Sequence, residues 1–116
     1  MTDGTYLYVE MWNAKPAWLA LNAEQRADFM ENKVEPFMQS IVSADCAPHG
    51  CCVNDGDSMP RAGYAFLVVW KVSSKEEAKK LANGTAGIGF YEYFDSVNIG
   101  GPQIDTDELK VRLRDL

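Results

Sequence analysis

The stretch Thr5 to Trp12 constrains the fold more than any other part of the chain. Leu7, Val9 and Met11 alternate there with Tyr6, Tyr8, Glu10 and Trp12, the period-two pattern of a strand with two apolar but dissimilar faces. Such a strand cannot turn either face to water without cost, so each face needs a cover of its own. Helices of the same chain can supply one cover, and the other calls for a second layer.

The remaining punctuation supplies those helices. Asn13 to Ala20 reads as a loop. Asn22 followed three positions later by Gln25 forms a capping box, and Met30, Val34, Phe37, Met38, Ile41 and Val42 then recur at helical spacing, which predicts a helix from about Ala23 to Val42. Pro36 has no N–H to give the carbonyl of Asn32, so a kink or break is expected between Asn32 and Glu35. His49 to Asn54 and Tyr64 to Lys71 are β-prone runs on either side of Asp55-Gly56-Asp57-Ser58, a long-looped hairpin. Ser74 with Glu77 caps a short, mostly solvated helix that Gly84 would end. Tyr93 to Ile99 is a fourth strand ended by Gly100-Gly101-Pro102, and Asp105 with Glu108 caps a final helix whose Leu109, Leu113 and Leu116 form a narrow stripe. That helix, about 106–116, is expected to dock, either on its own subunit or on a partner.

The order β-α-β-β-α-β predicts an α+β fold, the ferredoxin-like split βαβ sandwich with two helices on one face of a four-stranded antiparallel sheet. With 116 residues the chain makes one domain, 1–116. The second face, expected to carry Tyr6, Tyr8, Trp12 and Trp70 with Phe66, would leave an aromatic patch larger than soluble monomers expose. A second copy across a two-fold axis would cover it and give a homodimer paired through its sheet faces, a dimeric α/β barrel with a cavity between the sheets.

Charge and composition exclude several partners. The net charge of −6 repels a phosphate backbone, so nucleic acid is not expected. No apolar run approaches the ~20 residues of a spanning helix, and Met1-Thr2-Asp3-Gly4 lacks the basic and apolar regions of a signal peptide, so no membrane partner is expected. Cys46, Cys51 and Cys52 cannot all pair within one chain, which favours reduced thiols and a cytoplasmic location.

The segments Tyr6-Leu7-Tyr8-Val9-Glu10-Met11-Trp12-Asn13 with Pro16, Tyr64 to Lys71, and Gly89-Phe90-Tyr91-Glu92-Tyr93-Phe94 with Val97-Asn98 resemble a family of uncharacterised, darcynin-like bacterial proteins. That family stands beside the dimeric α/β-barrel superfamily. The resemblance covers the chain up to about Gly101 and implies fold more than function. Relatives in the superfamily include cofactor-free oxygenases acting on aromatic substrates, small isomerases, decarboxylases and haem-handling enzymes.

Among individual residues Glu10 is the leading catalytic candidate. Alternation places its carboxylate beside Tyr6, Tyr8 and Trp12, where an apolar wall raises a carboxyl pKa toward the range useful for proton transfer. At a sheet edge it would instead reach solvent or pair with a lysine across a dimer. Trp12 and Trp70 are candidate walls of a pocket for a small aromatic ligand, Asn13 and Tyr64 its polar anchors, and Arg61 a clamp for a substrate carboxylate; as core residues the aromatics would simply pack. His49 is the one histidine, so haem ligation would have to pass through it. Cys46, His49 and Cys51 match no familiar zinc module, Asp55 and Asp57 suit turn geometry, and neither a metal site nor a tightly bound cofactor is expected. Phosphate loops, nucleophile elbows and dinucleotide fingerprints do not occur. Three functions remain: a cofactor-free enzyme of oxygenase, isomerase or decarboxylase type with a small hydrophobic or aromatic substrate, a non-catalytic binding or stress-associated dimer, and a haem-binding protein with His49 as ligand.

Overall fold

A computed structural model of the protein describes residues 5–116; the opening Met1-Thr2-Asp3-Gly4, read above for a signal peptide, lies outside the described residues. Strands β1 (Tyr6–Ala14), β2 (Cys46–Val53), β3 (Phe66–Val72) and β4 (Phe94–Pro102) form one four-stranded sheet in the order β2-β3-β1-β4. All three pairings are antiparallel. The helices are α1 (Pro16–Leu19), α2 (Ala23–Phe29), a π-helical turn (Met30–Val34), α3 (Glu35–Ile41), α4 (Lys75–Gly87), α5 (Phe90–Tyr93) and α6 (Thr106–Arg114). The expected α+β sandwich is therefore present.

Local chemistry explains the elements and the departures from expectation. Asn22 Oδ1 accepts the N–H of Gln25 at 2.8 Å, and Gln25 Oε1 accepts that of Asn22 at 2.9 Å, so the capping box starts α2 as its sequence requires. Pro36 does not break the helix. The junction residues Met30, Val34 and Glu35 all keep right-handed helical dihedrals, and Glu35 N–H donates to the carbonyl of Met30 in the wider π turn. One extra residue in the turn relieves the clash and the missing donor that proline would impose on a regular α-helix.

Three boundaries also move. The loop after β1 contains α1, with Pro16 at its start, where a missing N–H costs nothing. β2 begins at Cys46, three residues before the expected start, with a bulge between Pro48 and Gly50 that leaves His49 outside the register. Gly100-Gly101-Pro102 extends β4 rather than ending it, and any Cβ at Gly100 would sit 3.0 Å from the Leu7 carbonyl oxygen and the Tyr6 and Tyr8 rings. At that position glycine serves close approach.

The larger correction concerns the two sheet faces. The core joins Tyr8 of β1, Cys46 of β2 and Trp70 and Val72 of β3 to Ala78 and Leu81 of α4, with Phe37, Met38 and Ile41 of α3 beside them. The helices thus cover the Tyr6–Tyr8–Glu10–Trp12 face, and Leu7, Val9 and Met11 point the other way. Aromatic rings bring more area to bury, and their polar tips find partners in a helix-covered interior, which an open sheet face lacks. The open face is aliphatic, with Val97 38% and Ile99 67% exposed on β4.

A second aromatic cluster closes the end of the sandwich. Trp18 of α1 contacts Phe29, Tyr93 and Phe94 at ring-centroid separations of 5.8, 5.5 and 4.7 Å, tying α1, α2 and α5 to β4. The C-terminal helix does not join either core. Every residue of α6 is exposed, Leu109 and Leu113 included, although Asp105 caps it as expected by accepting the N–H of Glu108 at 2.8 Å.

Candidate functional site

The antiparallel register places Cys51, Val68, Glu10 and Asn98 in one row across the sheet, on the helix-covered side. The adjacent row is Val53, Phe66, Trp12 and Ser96. Above these rows the helices do not fill the space. A half-open cavity of about 690 Å³ lies between sheet and helices, within the range of small-molecule sites.

Each element contributes a different part of its wall. β1 and β3 supply the floor, with Glu10, Trp12, Phe66, Val68 and Trp70. The π turn and α3 supply Met30, Val34, Phe37 and Met38, and α4 with the following turn supplies Leu81, Thr85 and Ile88. Phe90 of α5 closes one end, edge-on to Trp12 at 5.6 Å, while Trp12 stacks on Phe66 at 6.0 Å. Gly89 turns the chain into α5 with φ of +83°, a left-handed conformation that suits glycine, and so sets Phe90 in place.

Among the described residues Glu10 is the one charged side chain on this wall. It is only 8% exposed, and its Oε1 accepts the indole Nε1–H of Trp70 at 2.9 Å. Among the described residues no hydrogen bond reaches Oε2. Burial raises the Glu10 pKa above the usual carboxylate range, and the Trp70 hydrogen bond, which favours the charged form, offsets only part of that rise. The hydroxyl of neighbouring Tyr8 is also pushed up, by burial and by the Glu10 charge, so it stays protonated. Thr85 spends its hydroxyl on the Leu81 carbonyl at 2.8 Å.

Of the residues singled out in the sequence, Glu10, Trp12 and Trp70 come together here. The others do not. Tyr8 lies under α4 in the core, and the half-buried Tyr6 packs against that core. Asn13 Nδ2 donates to the Gly63 carbonyl and its Oδ1 accepts the Ala65 N–H, both at 2.8 Å, so it clamps the loop entering β3. Asn13, Tyr64 and Arg61 share a separate polar cleft of about 340 Å³, where Arg61 donates to the Gly56 carbonyl at 3.2 Å. The placement of Asn13 and Tyr64 as anchors of the aromatic pocket, and of Arg61 at its mouth, is corrected by that geometry. His49 is exposed on the β2 bulge and does not line the cavity.

Cys46 is fully buried, and its thiol pKa is raised by burial first and by Glu77 and Glu10 second. Cys51 and Cys52 are exposed at the cavity rim. Among the described residues no group of three histidine, cysteine or acidic side chains is placed to hold a metal ion. The helical stripe Met30–Val34–Phe37–Met38 was legible as an apolar face. Its role as cavity wall was not, because that depends on which sheet face it covers.

The sheet order, the helices on one face and the opening between them define a ferredoxin-like α+β domain with an internal apolar cavity. The chain belongs to a family of unknown function, DUF6616, whose profile matches residues 5–116. No curated protein matches it. Among solved structures it is similar to a mutant chlorite dismutase from Candidatus Nitrospira defluvii, with a TM-score of 0.72 and 14% identity, over 97% of this chain and 46% of that one. The chain thus spans about half the length of the chlorite dismutases it matches. It is also similar to a dimeric protein of unknown function with a ferredoxin-like fold from Bacteroides fragilis NCTC 9343, with a TM-score of 0.52 and 11% identity, over 89% of this chain and 100% of that one. A hypothetical protein of Arabidopsis thaliana aligns with a TM-score of 0.56 and 13% identity, over 90% of this chain and 92% of that one. At these identities the likeness shows the fold alone. No helix among the described residues is long and apolar enough to cross a membrane.

Proposed function

We propose that this protein binds a small hydrophobic or aromatic molecule in the cavity between its sheet and its helices, with Glu10 as the group that exchanges a proton with it. The observation that carries this reading is the Glu10 carboxyl itself, 8% exposed on the floor of a largely apolar cavity of about 690 Å³ and held by Trp70. A buried carboxyl with a raised pKa can take a proton from a bound molecule and return it at another position, chemistry of isomerase type that needs no cofactor. The aromatic face lies under the helices of its own subunit and lines this pocket, which weighs against the non-catalytic alternative's use of that face as a subunit interface. Haem ligation through His49 has no support in the geometry, since that ring lies on the exposed bulge of β2.

The aliphatic open face, with Ile99 at its edge, favours a homodimer paired through that face. The cavity is then internal to each subunit and does not lie between the two sheets. The likeness to darcynin-like proteins and to chlorite dismutases bears on this reading through the fold only.

Native mass spectrometry of the protein as isolated, compared with its denatured mass, tests the reading. A non-covalent adduct lost in Trp12→Ala or on filling the cavity with Val68→Phe supports it. A small-molecule screen in which no conjugated or aromatic compound binds, or in which Glu10→Gln leaves turnover of an identified substrate unchanged, overturns it.

A further inference from the structure

We infer that the cavity selects a cationic ligand, an ammonium group carried on an apolar or aromatic body, with the nitrogen seated on Glu10. This inference rests on the cavity reading above and names the chemical class of its occupant.

The hydrogen-bond set of Glu10 is incomplete. Glu10 reaches the cavity floor from the middle of β1, with β3 and β4 on either side, and its Oε1 already accepts the Trp70 N–H at 2.9 Å. Oε2 has no partner among the described residues, and the residue is more than nine-tenths buried. In its charged form a carboxylate so placed is stabilised by a second donor and a compensating positive charge, and without them it keeps its proton. The wall offers neither, because among the described residues no lysine, arginine or histidine lines the cavity. Oε2 is not a sealed orphan, since no fully buried side-chain oxygen among the described residues lacks a partner; it opens onto the cavity, where an occupant can bring the donor and the charge that the wall does not supply.

The rest of the wall suits such an occupant. Trp12, Phe37, Phe66, Trp70 and Phe90 present π systems, whose negative faces attract an ammonium group most strongly when it is desolvated, and Met30 and Met38 add polarizable sulfur. An anionic ligand would meet a like charge at Glu10 and find no counter-ion. The net charge of −6 steers cations toward the protein and anions away.

Proton balance follows from the free state. Glu10 keeps its proton to higher pH than an ordinary glutamate, since burial outweighs the Trp70 bond. An ammonium ion binding to the carboxylate form releases that proton to solvent, so binding strengthens as pH rises through the raised Glu10 pKa and then levels off. The titratable groups near Glu10 are Tyr8 on its own strand and Cys46 on β2, with Glu77 of α4 beside Cys46 and Cys51 on the same cavity wall. Burial holds the Tyr8 hydroxyl and the Cys46 thiol protonated well above the range in which Glu10 titrates.

The test uses one apolar body with three head groups: a naphthylethyl amine, the matching alcohol and the matching carboxylate, titrated into the full chain by calorimetry between pH 5 and 8. The expected result is an amine at least tenfold tighter than the alcohol at pH 7.5, undetectable binding of the carboxylate, and proton release with the amine alone. In Glu10→Gln, with folding checked by circular dichroism, the amine should lose at least tenfold while the alcohol changes by less than threefold. Alcohol binding equal to or tighter than the amine in the wild-type protein overturns the inference and leaves the cavity reading standing. Failure of all three probes overturns both.

Discussion

Trp70 on β3 donates its indole N–H to Glu10 on β1 at 2.9 Å, and the two residues are the most deeply buried polar pair on the cavity floor. They are offset by two register positions, since Glu10 pairs with Val68 and Trp70 with Tyr8, so the bond runs diagonally across neighbouring strands. Trp70→Phe keeps most of the buried ring and removes the donor. Leaving the Glu10 oxygen unsatisfied costs about 1–3 kcal/mol. Chemical denaturation should show that loss, and the Glu10 pKa should rise further, because the indole bond is the one influence lowering it. An unchanged midpoint and an unchanged carboxyl titration by NMR would mean that the bond does not form in solution.

Glu10→Gln probes the same carboxyl through pH. The folded-state pKa of Glu10 is raised above its ordinary value of 4.5. Its contribution to stability is thus fully present below the unfolded value and is lost as pH rises through the folded one. Glutamine keeps a carbonyl oxygen for Trp70 and cannot ionise. The variant should gain on the wild type steadily as pH climbs from 4.5 through the raised value and hold a constant advantage beyond it. Parallel stability curves for the two proteins across that window would exclude a raised pKa.

Gly84 shows how the cavity is held open. It lies inside α4, at the start of the last turn and facing α3, where any Cβ would collide with the ring of Phe37. Gly84→Ala must push Phe37 aside, and Phe37 lines the cavity. Overpacking of this kind costs about 1–3 kcal/mol even though alanine is the better helix former. The measurable pair of effects is a lower Tm and a changed affinity for any cavity ligand. A Tm that rises would show the helices free to separate.

How much of this was legible in the sequence depended on how local each signal was. Capping chemistry was read correctly at Asn22, Ser74 and Asp105, because a side-chain oxygen three residues from an N–H is a local fact. Asn22→Ala should cost about 1 kcal/mol in thermal unfolding on the same grounds. The candidate site was legible as far as Glu10 and Trp12, which alternation puts on one face of β1, with Trp70 beside them once the β1–β3 register is known. Gly84 looked like a helix stop because its real partner, Phe37, lies far away in sequence. Pro36 looked like a break because the alternative of one widened turn depends on what the helix packs against. The face of β1 that turns inward was misjudged for the same reason: both faces are apolar, and only the helices decide between them. Asn13 and Arg61 carry groups fit for a site but spend them on loop carbonyls, which spacing cannot reveal.

The exposed stripe of α6 and the aliphatic open face of the sheet make the last prediction. Leu109, Leu113 and Leu116 are 47%, 61% and 101% exposed, so α6 buries no apolar side chain in its own subunit, and its removal should leave the stability of the remaining domain within about 0.5 kcal/mol. The sheet face is different, because Val97 and Ile99 stand beside Val9 and Met11 in the register and form one continuous apolar surface. A charge on that surface opposes burial against a second copy without touching the core. Ile99→Glu should therefore shift the protein from dimer to monomer in sedimentation while thermal unfolding of the monomer and ligand binding in the cavity persist. If a chain ending at Ile104 also dissociates at concentrations where the full chain stays paired, α6 lies across the partner; if it stays paired, the sheet face alone carries the dimer. A full-length chain that sediments as a monomer at high concentration would remove the case for pairing and leave the cavity argument intact, since every residue lining that cavity belongs to one subunit.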